Sequence, residues 1–423
     1  MNETVTAPRP VDEIDLPVLP RFGPRDPARF EILREARERH WLARSEGGFT
    51  VLRYPEVVAM HRDARFVNGG NVSLRRAGIT DERFLSRRPN PFLRAEGADH
   101  KRLRKLVAAA FSVRGAEKHR AFMRAEIDRM IDRVAAAGRA ELIEDLFDPF
   151  PTAVICELLG TPREDWQLFF GWTRDIFQIY TGDVGASMDR ILAAHQELDQ
   201  YVEELIEKRR RVPGDDLLTE LIQAEEAGDR LSTEELQSIV EAVLLAGTDT
   251  TRTQLGITLA TVLQHPDQLA KLQGDPSLIP GAVEESLRFL SSVGGQPRYV
   301  PEETAFKDVI FPADTLLQTN FVSANVDPLI WGDDAERFDV SRKPTAGNGQ
   351  LTFGIGRHIC LGASIARVEL EEMLATILWR MPNIAIDGGV EWRAQAGAGM
   401  WGAERFPVTF APSTPAIQDR EFA

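Results

Sequence analysis

The sequence predicts a mainly helical protein with small β-sheets, built as one large domain around a long central helix. Apolar residues recur with helical spacing through most of the chain from residue 100 onward. Strand-like segments are few and short, and the strand–helix–strand alternation typical of parallel α/β proteins is absent. No internal repeat or low-complexity linker divides the 423 residues.

The N-terminal part of the chain is the least regular. Residues 1–20 are rich in proline and predict an extended segment, followed by the main domain at 21–412 and a tail at 413–423. The stretch 47–54 alternates apolar residues as a short strand does. Residues 66–98 carry scattered glycine, proline and arginine without a clean period, and we expect this irregular stretch to cover a ligand site.

The most distinctive helix is predicted over 232–265. Ser232 and Glu235 form a capping box at its start, and His265 with a following proline marks its end. A helix of about 30 residues is roughly 45 Å long, so it is expected to cross the whole molecule. A shorter helix follows from Pro280, strand-like pieces lie at 305–324 and 406–410, and the last helix is predicted over 361–381.

Composition excludes several classes of protein. Hydrophobic residues make up 43% and charged residues 27%, and the net charge of −15 disfavours nucleic acid and anionic membranes as partners. The N-terminus lacks the features of a signal peptide, and no uncharged apolar run reaches the ~18 residues of a membrane span. The two cysteines form no C-x-x-C pair, which suits a reducing compartment. We expect a cytoplasmic monomer.

The stretch "FGIGRHICLG" (353–362) surrounds Cys360 with three glycines, a histidine and an arginine. A dinucleotide fingerprint needs G-x-G-x-x-G, and here Gly362 comes six residues after Gly356. A small buried thiol is the plain alternative, and it suits Cys156 within "AVICELLG". A thiolate metal ligand is the third, because backbone N–H groups and a following helix N-terminus favour the charged sulfur.

This stretch resembles the haem-binding signature of cytochromes P450, F-G-x-G-x-[HR]-x-C-x-G, at every defined position. The resemblance implies the fold of that family, a single large triangular domain. It also implies that Cys360 is the axial ligand of the iron in haem b, with Gly362 in the same loop. Phe353 is then expected to pack against the sulfur side, and His358 to contact a haem propionate.

A second segment, "AGTDTT" (246–251), matches the A-G-x-[DE]-T pattern of the same family. The resemblance places Ala246 and Gly247 at the haem and makes Asp249 and Thr250 a proton relay for O₂ activation. Glycine and small hydroxyl residues are poor helix formers, so a local widening of the long helix is expected. The alternative is a solvated aspartate beside a threonine that bonds back to its own helix.

Three further cations and one ion pair complete the resemblance. His100 and Arg104 have the spacing of the family's H-x-x-x-R pair, and Arg298 matches its third propionate ligand. Glu285 and Arg288 match its buried structural E-x-x-R pair, although such a pair is usually an exposed salt bridge. Arg337 and Arg342 are both candidates for the arginine that joins them.

The resemblance also indicates which segments face the substrate. The polar handle is Gln296, and Gly294 with Gly295 is expected to leave space near the iron. The other predicted pocket residues are Val240, Val243, Leu244, Val293, Met400 and Trp401, and a further wall is expected from Phe169, Phe170, Phe177 and Tyr180. The alternative is that these residues are ordinary core and loop.

These features predict a haem-thiolate monooxygenase that hydroxylates, O-dealkylates or epoxidises an apolar small molecule such as a terpenoid, steroid or aromatic. Two electrons are expected from NAD(P)H through a separate reductase and a ferredoxin or flavodoxin. Basic residues Lys101, Arg102, Lys105 and Arg357 are expected to dock that acidic carrier. An H₂O₂-driven peroxygenase and a non-catalytic haem-thiolate sensor are the alternatives, and the Asp249–Thr250 pair argues against both.

Overall fold

The computed structural model describes residues 7–20, 28–76, 78–87, 92, 95, 97–180, 184–226, 231–343, 349–394 and 401–414, with the backbone alone at 70, 71, 86, 87, 180, 184, 393 and 394. Helices dominate these residues, as the apolar periodicity predicts. They are α1 (Arg29–Arg39), α2 (Tyr54–Arg62), α3 (Gly70–Arg76), α4 (Glu82–Arg87), α5 (Gly97–Val107), α6 (Val113–Lys118), α7 (Arg120–Asp132), α8 (Pro149–Leu159), α9 (Trp166–Ile176), α10 (Val184–Arg211), α11 (Leu217–Glu226), α12 (Thr233–Ala246), α13 (Asp249–Leu263), α14 (Pro266–Gly274), α15 (Ile279–Phe289), α16 (Phe321–Ala324), α17 (Pro328–Trp331) and α18 (Ala363–Arg380).

Short strands form small sheets beside the helices. They are β1 (Arg9–Pro10), β2 (Leu42–Ser45), β3 (Gly48–Val51), β4 (Val67–Asn68), β5 (Arg139–Glu141), β6 (Gly295–Val300), β7 (Thr304–Phe306), β8 (Val309–Phe311), β9 (Thr315–Asn320), β10 (Ala385–Ile386), β11 (Glu391–Ala394), β12 (Trp401–Arg405) and β13 (Pro407–Thr409). The largest sheet has the order β2-β3-β9-β6-β4, and the others are β1-β8-β7, β10-β13-β5 and β11-β12. The predicted fold class is confirmed.

The main core is helical, and a second core lies under the largest sheet. The first is formed by buried residues of α5 through α15 and α18. The second includes Val51, Phe311 and Leu317 from the sheets. Val11 and Ile14, which follow β1, are buried in this second core, and β1 pairs in parallel with β8. The segment before residue 20 is therefore packed on the body of the protein.

The segment 66–98 is more regular in its described part than its composition predicts. It contains β4, α3 and α4, and β4 pairs with β6. Leu74 and Phe84 from this segment form an apolar cluster with Ile179, Met188 and Ile191. The segment is thus closed against the α9–α10 region by hydrophobic burial, which local sequence periodicity does not reveal.

The long helix predicted over 232–265 is two helices, α12 and α13, with Gly247 and Thr248 between them. The capping box is confirmed, because Ser232 Oγ accepts from the Glu235 N–H and the Glu235 side chain accepts from the Ser232 N–H. At the interruption the backbone approaches α8 closely. A Cβ on Gly247 would lie 2.3 Å from Cδ1 of Ile155. Glycine is therefore needed here for helix packing.

The described helices include none that is long and apolar enough to cross a membrane. The predicted C-terminal elements are confirmed. The last helix runs over Ala363–Arg380, and the closing segment forms β13. The predicted tail at 413–423 lies outside the described residues after position 414.

Candidate active site

The Cys360 loop is a tight turn that its glycines make possible. Gly354 and Gly356 have φ values of 74° and 75°, which side-chain-bearing residues rarely adopt. The loop is closed by the N–H of Cys360, which donates to the Phe353 carbonyl at 2.7 Å. This closure places the thiol beside the first turn of α18, whose N-cap is Gly362.

The environment of the Cys360 thiol is concave and polarised. The residue is exposed, yet burial by surrounding atoms raises the pKa of its thiol. A sulfur on the wall of a recess explains both the exposure of the residue and the raised pKa of its thiol. Backbone hydrogen bonds from Gly362 and Ala363, with the charges of Arg104 and Arg367, act in the opposite direction and favour the thiolate.

Phe353 holds the loop to the helix that follows it. The Arg367 guanidinium lies 4.6 Å from the centroid of the Phe353 ring. Arg367 also donates to the Ala363 carbonyl and forms an ion pair with Glu284 of α15. Local sequence does not point to Arg367, because an arginine within a helix carries no distinguishing signal.

Helix α5 brings two of the predicted cations to the Cys360 loop. The ring of His100, which is buried, lies 4.5 Å from that of His358, measured between centroids. Arg104, one helical turn later, donates to the carbonyl of Ile359. Burial lowers the pKa of Arg104, while the charge of Cys360 raises it. His100, Arg104, His358 and Cys360 therefore form one cluster, although more than 250 positions separate its two halves.

Arg298 lies on β6 within a polar group that local sequence does not predict. Its Nη2 lies 2.6 Å from Nδ1 of His61 and 3.3 Å from Oε1 of Gln296. Burial, and then the charge of Arg298, lower the pKa of His61 to about 3, so this imidazole is neutral and accepts. A lone histidine in α2 gave no signal of this contact.

Gln296 lies between Arg298 and the cysteine loop. A Cβ on Gly354 would contact its Nε2 at 3.4 Å. The predicted space at Gly295 is not found, because a Cβ there would lie 1.7 Å from the Thr319 carbonyl oxygen. Gly295 is needed for the pairing of β6 with β9, in which it lies opposite Asn320.

Ala246 and Thr250 flank the junction of α12 and α13, and Thr250 is half-buried. Ala246 is exposed at the end of a largely buried helix, and Thr250 Oγ1 donates to its carbonyl at 3.0 Å. Asp249 begins α13, where the positive helix terminus favours a carboxylate. Its Oδ1 lies 3.6 Å from Nη1 of Arg252. The hydroxyl and the acid are thus adjacent at a break in the helix.

A cavity of about 340 Å³ lies beside Asp249. Its walls come from the start of α8, from α9, from the α12–α13 junction and from β12. They are polar at Asp148, Arg174, Arg252 and Glu404 and aromatic at Phe170 and Phe177. Phe169 lies elsewhere, buried against Tyr201. The Tyr180 side chain lies outside the described part of the chain.

The remaining predicted pocket residues occupy different places. Val240, Val243 and Leu244 are buried in the main core. Trp401 is buried and donates from Nε1 to the Ser291 carbonyl at 2.9 Å. Val293 is half-buried and Gly294 is buried beside it. Met400 lies outside the described residues.

Glu285 and Arg288 form a buried ion pair with two hydrogen bonds of 2.7 and 2.8 Å. Arg288 also donates to the carbonyls of Asn325, Ala335 and Arg337. Of the two arginines that the sequence left open, Arg342 joins the pair, with Nε 3.1 Å from Glu285 Oε1. The Arg337 side chain is 65% exposed and pairs instead with aspartates. The pair is therefore a buried anchor.

The predicted basic patch is only partly available. Lys101 and Lys105 are exposed, one turn apart on α5, and Arg357 is exposed on the cysteine loop. Arg102 is engaged by Glu235 at 2.5 Å and by Asp99. Arg102 therefore ties α5 to the capping box of α12.

A haem group fits this set of residues. The soft donor is one thiol in a recess, with N–H groups directed at the sulfur. Side chains suited to bind two carboxylates, at His100, Arg104, His358 and Arg298, come from α5, the loop and β6. The exposed Ala246 and the half-buried Thr250 offer small side chains at a helix break.

Comparisons with known proteins agree with this geometry. The family model described as Cytochrome P450 matches residues 66–382. Cytochrome P450 107B1 of Saccharopolyspora erythraea is 38% identical over 320 residues, covering 75% of this chain and 76% of that protein. Luteothin monooxygenase of Streptomyces thioluteus is 33% identical over 409 residues, covering 94% of this chain and 96% of that protein. The crystal structure of CalO2 matches with a TM-score of 0.83 and 27% sequence identity, and the match covers 93% of this chain and 100% of that one.

Proposed function

The chain belongs to the cytochrome P450 family and is a cytochrome P450 monooxygenase, and on this premise we propose that Cys360 is the thiolate ligand of a haem b group. The observation that supports this assignment is the position of the thiol in a recess, where the N–H groups of Gly362 and Ala363 donate to it. Bound there, a haem thiolate supplies the activation of O₂ and the cleavage of its O–O bond.

The chain's own residues prepare this site. The two N–H groups and the start of α18 hold negative charge on the sulfur. Two buried carboxylates need cationic partners, since an unpaired buried charge is strongly destabilising. His100 and Arg104 from α5, His358 from the loop and Arg298 from β6 are proposed to supply them.

Asp249 and Thr250 are proposed to deliver protons from the neighbouring cavity. Asp249 lines that cavity, where it can take up a proton, and Thr250 is adjacent to it at the helix break. The Thr250 hydroxyl donates to the Ala246 carbonyl, which leaves its lone pairs able to accept a hydrogen bond from a proton donor. General acid catalysis by such a pair contributes about 10²–10⁴-fold.

The proposed substrate is an apolar small molecule that becomes hydroxylated, epoxidised or O-dealkylated. The aromatic walls at Phe170 and Phe177 support this class. Relatives carry the names Steroid C26-monooxygenase, Vitamin D(3) 25-hydroxylase and Mycinamicin IV hydroxylase/epoxidase. A terpenoid, steroid or similar ring system is therefore the class to screen first.

The proposed electron source is NAD(P)H, acting through a reductase and a separate ferredoxin or flavodoxin. Lys101, Lys105 and Arg357 are exposed cations on α5 and the cysteine loop. The chain as a whole is acidic, with a net charge of −15, so an acidic carrier would be steered to this positive area.

The thiolate assignment is tested by the absorption spectrum of the reduced, CO-bound holoenzyme. The wild-type protein is expected to show the red-shifted Soret band of a thiolate-ligated haem, and Cys360→His to lose it. The matched control is Cys156→Ser, since Cys156 is buried in the core and its pKa is raised to about 11 by burial. A red-shifted band that survives in Cys360→His would refute the assignment.

The relay is tested with Thr250→Ala. Consumption of NAD(P)H is expected to continue while product falls and H₂O₂ is released. The matched control is Thr261→Ala, because Thr261 makes the same back-bond, to the Ile257 carbonyl at 2.7 Å, away from the junction. Full coupling in Thr250→Ala would show that the proton route lies elsewhere. Turnover of the wild type with H₂O₂ alone, at the rate seen with electron donors, would favour a peroxygenase.

A further inference from the structure

We propose that His61 is a positioning residue that holds the Arg298 side chain in the orientation that binds a haem propionate. The inference deepens the proposed binding of haem and rests on it. His61 lies at the end of α2 and Arg298 lies in β6, 237 positions away. Their contact therefore links two distant parts of the fold.

This contact lies beside the cysteine loop. A Cβ on Gly356 would lie 3.6 Å from the His61 carbonyl oxygen, and a Cβ on Gly354 would lie 3.4 Å from Nε2 of Gln296. Gln296 also lies next to Arg298, with its Oε1 3.3 Å from Nη2. The group formed by His61, Gln296 and Arg298 therefore packs on both of the loop glycines that have positive φ.

The partners of the His61 ring fix the direction of each of its hydrogen bonds. A guanidinium has no acceptor, so Nη2 of Arg298 donates to Nδ1 of His61 at 2.6 Å. The proton of the neutral imidazole is then on Nε2, which lies 3.1 Å from Oγ1 of Thr319. The Thr319 hydroxyl donates to the Gln296 carbonyl at 3.0 Å, so it accepts from His61. Two partners therefore require the same tautomer, with its acceptor directed at Arg298.

The surroundings of His61 hold its ring in this orientation. Thr319 is fully buried and lies opposite Gln296 in the β6–β9 pair. The ring of Phe321 lies 5.6 Å from that of His61, measured between centroids. Burial, and then the charge of Arg298, lower the pKa of His61 to about 3, so the ring remains an uncharged acceptor at physiological pH. A rigid acceptor selects one orientation of a long arginine side chain, whose ordering otherwise costs entropy on binding.

The backbone of Arg298 is held by contacts that do not involve His61. In the largest sheet, Arg298 lies opposite Leu317 of β9 and opposite Asn68 of β4. Replacement of His61 is therefore expected to leave β6 in place and to change the side chain of Arg298.

Two variants that keep different halves of the imidazole test the role of the acceptor. His61→Asn places an amide oxygen near the position of Nδ1, and His61→Gln places its amide near that of Nε2. The measurement is the rate of haem transfer from the holoenzyme to excess apomyoglobin. His61→Leu and His61→Gln are expected to release haem about tenfold faster than the wild type, since a hydrogen bond to a charged group corresponds to about one order of magnitude or more. His61→Asn is expected to release haem at close to the wild-type rate.

The propionate contact itself is measured by resonance Raman spectroscopy of the ferric holoenzyme, in which the propionate bending mode reports hydrogen bonds to the carboxylates. Arg298→Gln gives the direction of the shift when the guanidinium is lost. His61→Leu and His61→Gln are expected to shift the mode in the same direction. In the double variant His61→Leu with Arg298→Gln, the rate and the mode are expected to equal those of Arg298→Gln alone. A purely structural role of His61 would instead add the two losses.

The tautomer is measured by ¹⁵N NMR of the histidine-labelled, CO-bound ferrous holoenzyme, with the His61 signals assigned by their loss in His61→Asn. The proton is expected on Nε2, without titration between about pH 5 and 8. The matched control for haem release is His40→Leu. Nδ1 of His40 also accepts, from the Leu42 N–H at 3.0 Å, but its Nε2 lies 3.0 Å from Asp308 Oδ2. His40→Leu is expected to leave the transfer rate and the propionate mode unchanged.

Three results would overturn the positioning role. They are equal rates of haem release from His61→Asn and His61→Gln, a proton on Nδ1 of His61, and additive losses in the double variant with Arg298→Gln. A change in His40→Leu as large as that in His61→Leu would also overturn it, because any lost histidine contact would then have the same effect.

Failure of the proposed function gives a different pattern. The red-shifted Soret band of the CO-bound wild type reports on Cys360 and does not depend on His61. If Arg298→Gln leaves the propionate mode and the transfer rate unchanged, the proposed propionate role of Arg298 is refuted, and the role of His61 with it. If Arg298→Gln shifts the mode and His61→Leu does not, only the positioning role is refuted.

Discussion

Replacement of Arg288 by alanine is expected to lower the free energy of unfolding by about 4 kcal/mol. The Arg288 side chain is 2% exposed and so is that of Glu285, with which it forms a two-bonded ion pair. Breaking a buried ion pair by removing one partner destabilises proteins by about 3–5 kcal/mol, because a buried charge loses its compensation. Total stabilities are only about 5–15 kcal/mol.

The magnitude follows from what remains after the substitution. Glu285 keeps Arg342 at 3.1 Å and the Asp339 N–H at 2.9 Å, which limits the loss at the carboxylate. The carbonyls of Asn325 and Ala335 lose their charged donor. Each buried group left without a partner costs about 1–3 kcal/mol. The two effects together support a value near the middle of the range.

The assay is urea unfolding of the holoenzyme, followed by circular dichroism and by the Soret band. The matched control is Arg337→Ala, since that side chain is 65% exposed and bonds Asp334 and Asp339 at the surface. It is expected to lose less than about 1 kcal/mol. Arg288→Lys keeps the charge but not the fork of donors, and is expected to lose about 2 kcal/mol.

Two results would refute this reasoning. If Arg288→Lys is as stable as the wild type, the directional bonds to the backbone carbonyls contribute nothing. If Arg337→Ala loses as much free energy of unfolding as Arg342→Ala, then Arg342 is not the arginine that supports the Glu285–Arg288 pair. Should Arg288→Ala fail to accumulate, the lysine variant still gives a measurable difference.

Three further predictions concern packing, pH and charge. Gly247→Ala is expected to lower the free energy of unfolding by about 1–3 kcal/mol, because the added methyl group overpacks against Ile155. In urea unfolding, the double variant Gly247→Ala with Ile155→Val is expected to lose less stability than the sum of the two single variants. Burial raises the pKa of Asp339, but the hydrogen bonds that its carboxylate accepts outweigh this effect and lower the pKa to about 2. The stability that the Asp339 carboxylate contributes is therefore present above the unfolded-state pKa of about 3.9 and is lost as pH falls toward 2. The free energy of unfolding of Asp339→Asn should vary less with pH over this window. Reversal of charge at Lys101 and Lys105 is expected to slow reduction by an acidic ferredoxin about tenfold at low salt in stopped-flow measurements.

Each of these predictions has a control in the chain. Gly256→Ala adds a Cβ at ordinary contact distance, 3.4 Å from that of Ala403, and should not destabilise α13. Asp215→Asn removes an exposed carboxylate, and its acid unfolding should follow the wild type. Lys307→Glu reverses a charge in the β7–β8 turn and should leave the reduction rate unchanged. Additive losses of stability in the Gly247 and Ile155 variants would contradict overpacking. An unchanged reduction rate after charge reversal at Lys101 would contradict docking of the carrier at this surface.

The positions of most secondary elements follow from local sequence. The capping box at Ser232, the helix from Pro280 and the last helix are where the sequence predicts them, because caps and apolar periodicity act within a few residues. The break after Ala246 is different. Glycine and threonine weaken the helix there, but its close approach to Ile155 of α8 is a long-range contact that periodicity does not encode.

The sequence by itself determined the family, the cysteine loop and the types of residue around it, since a contiguous motif carries its own chemistry. Only the tertiary structure decided that Arg342 rather than Arg337 joins Glu285, that Gln296 lies by the cysteine loop, and that Asp148 holds Arg252. The physical reason is that an ion pair or a close packing contact depends on which side chains meet in space. Residues more than 50 positions apart carry no local sign of that meeting.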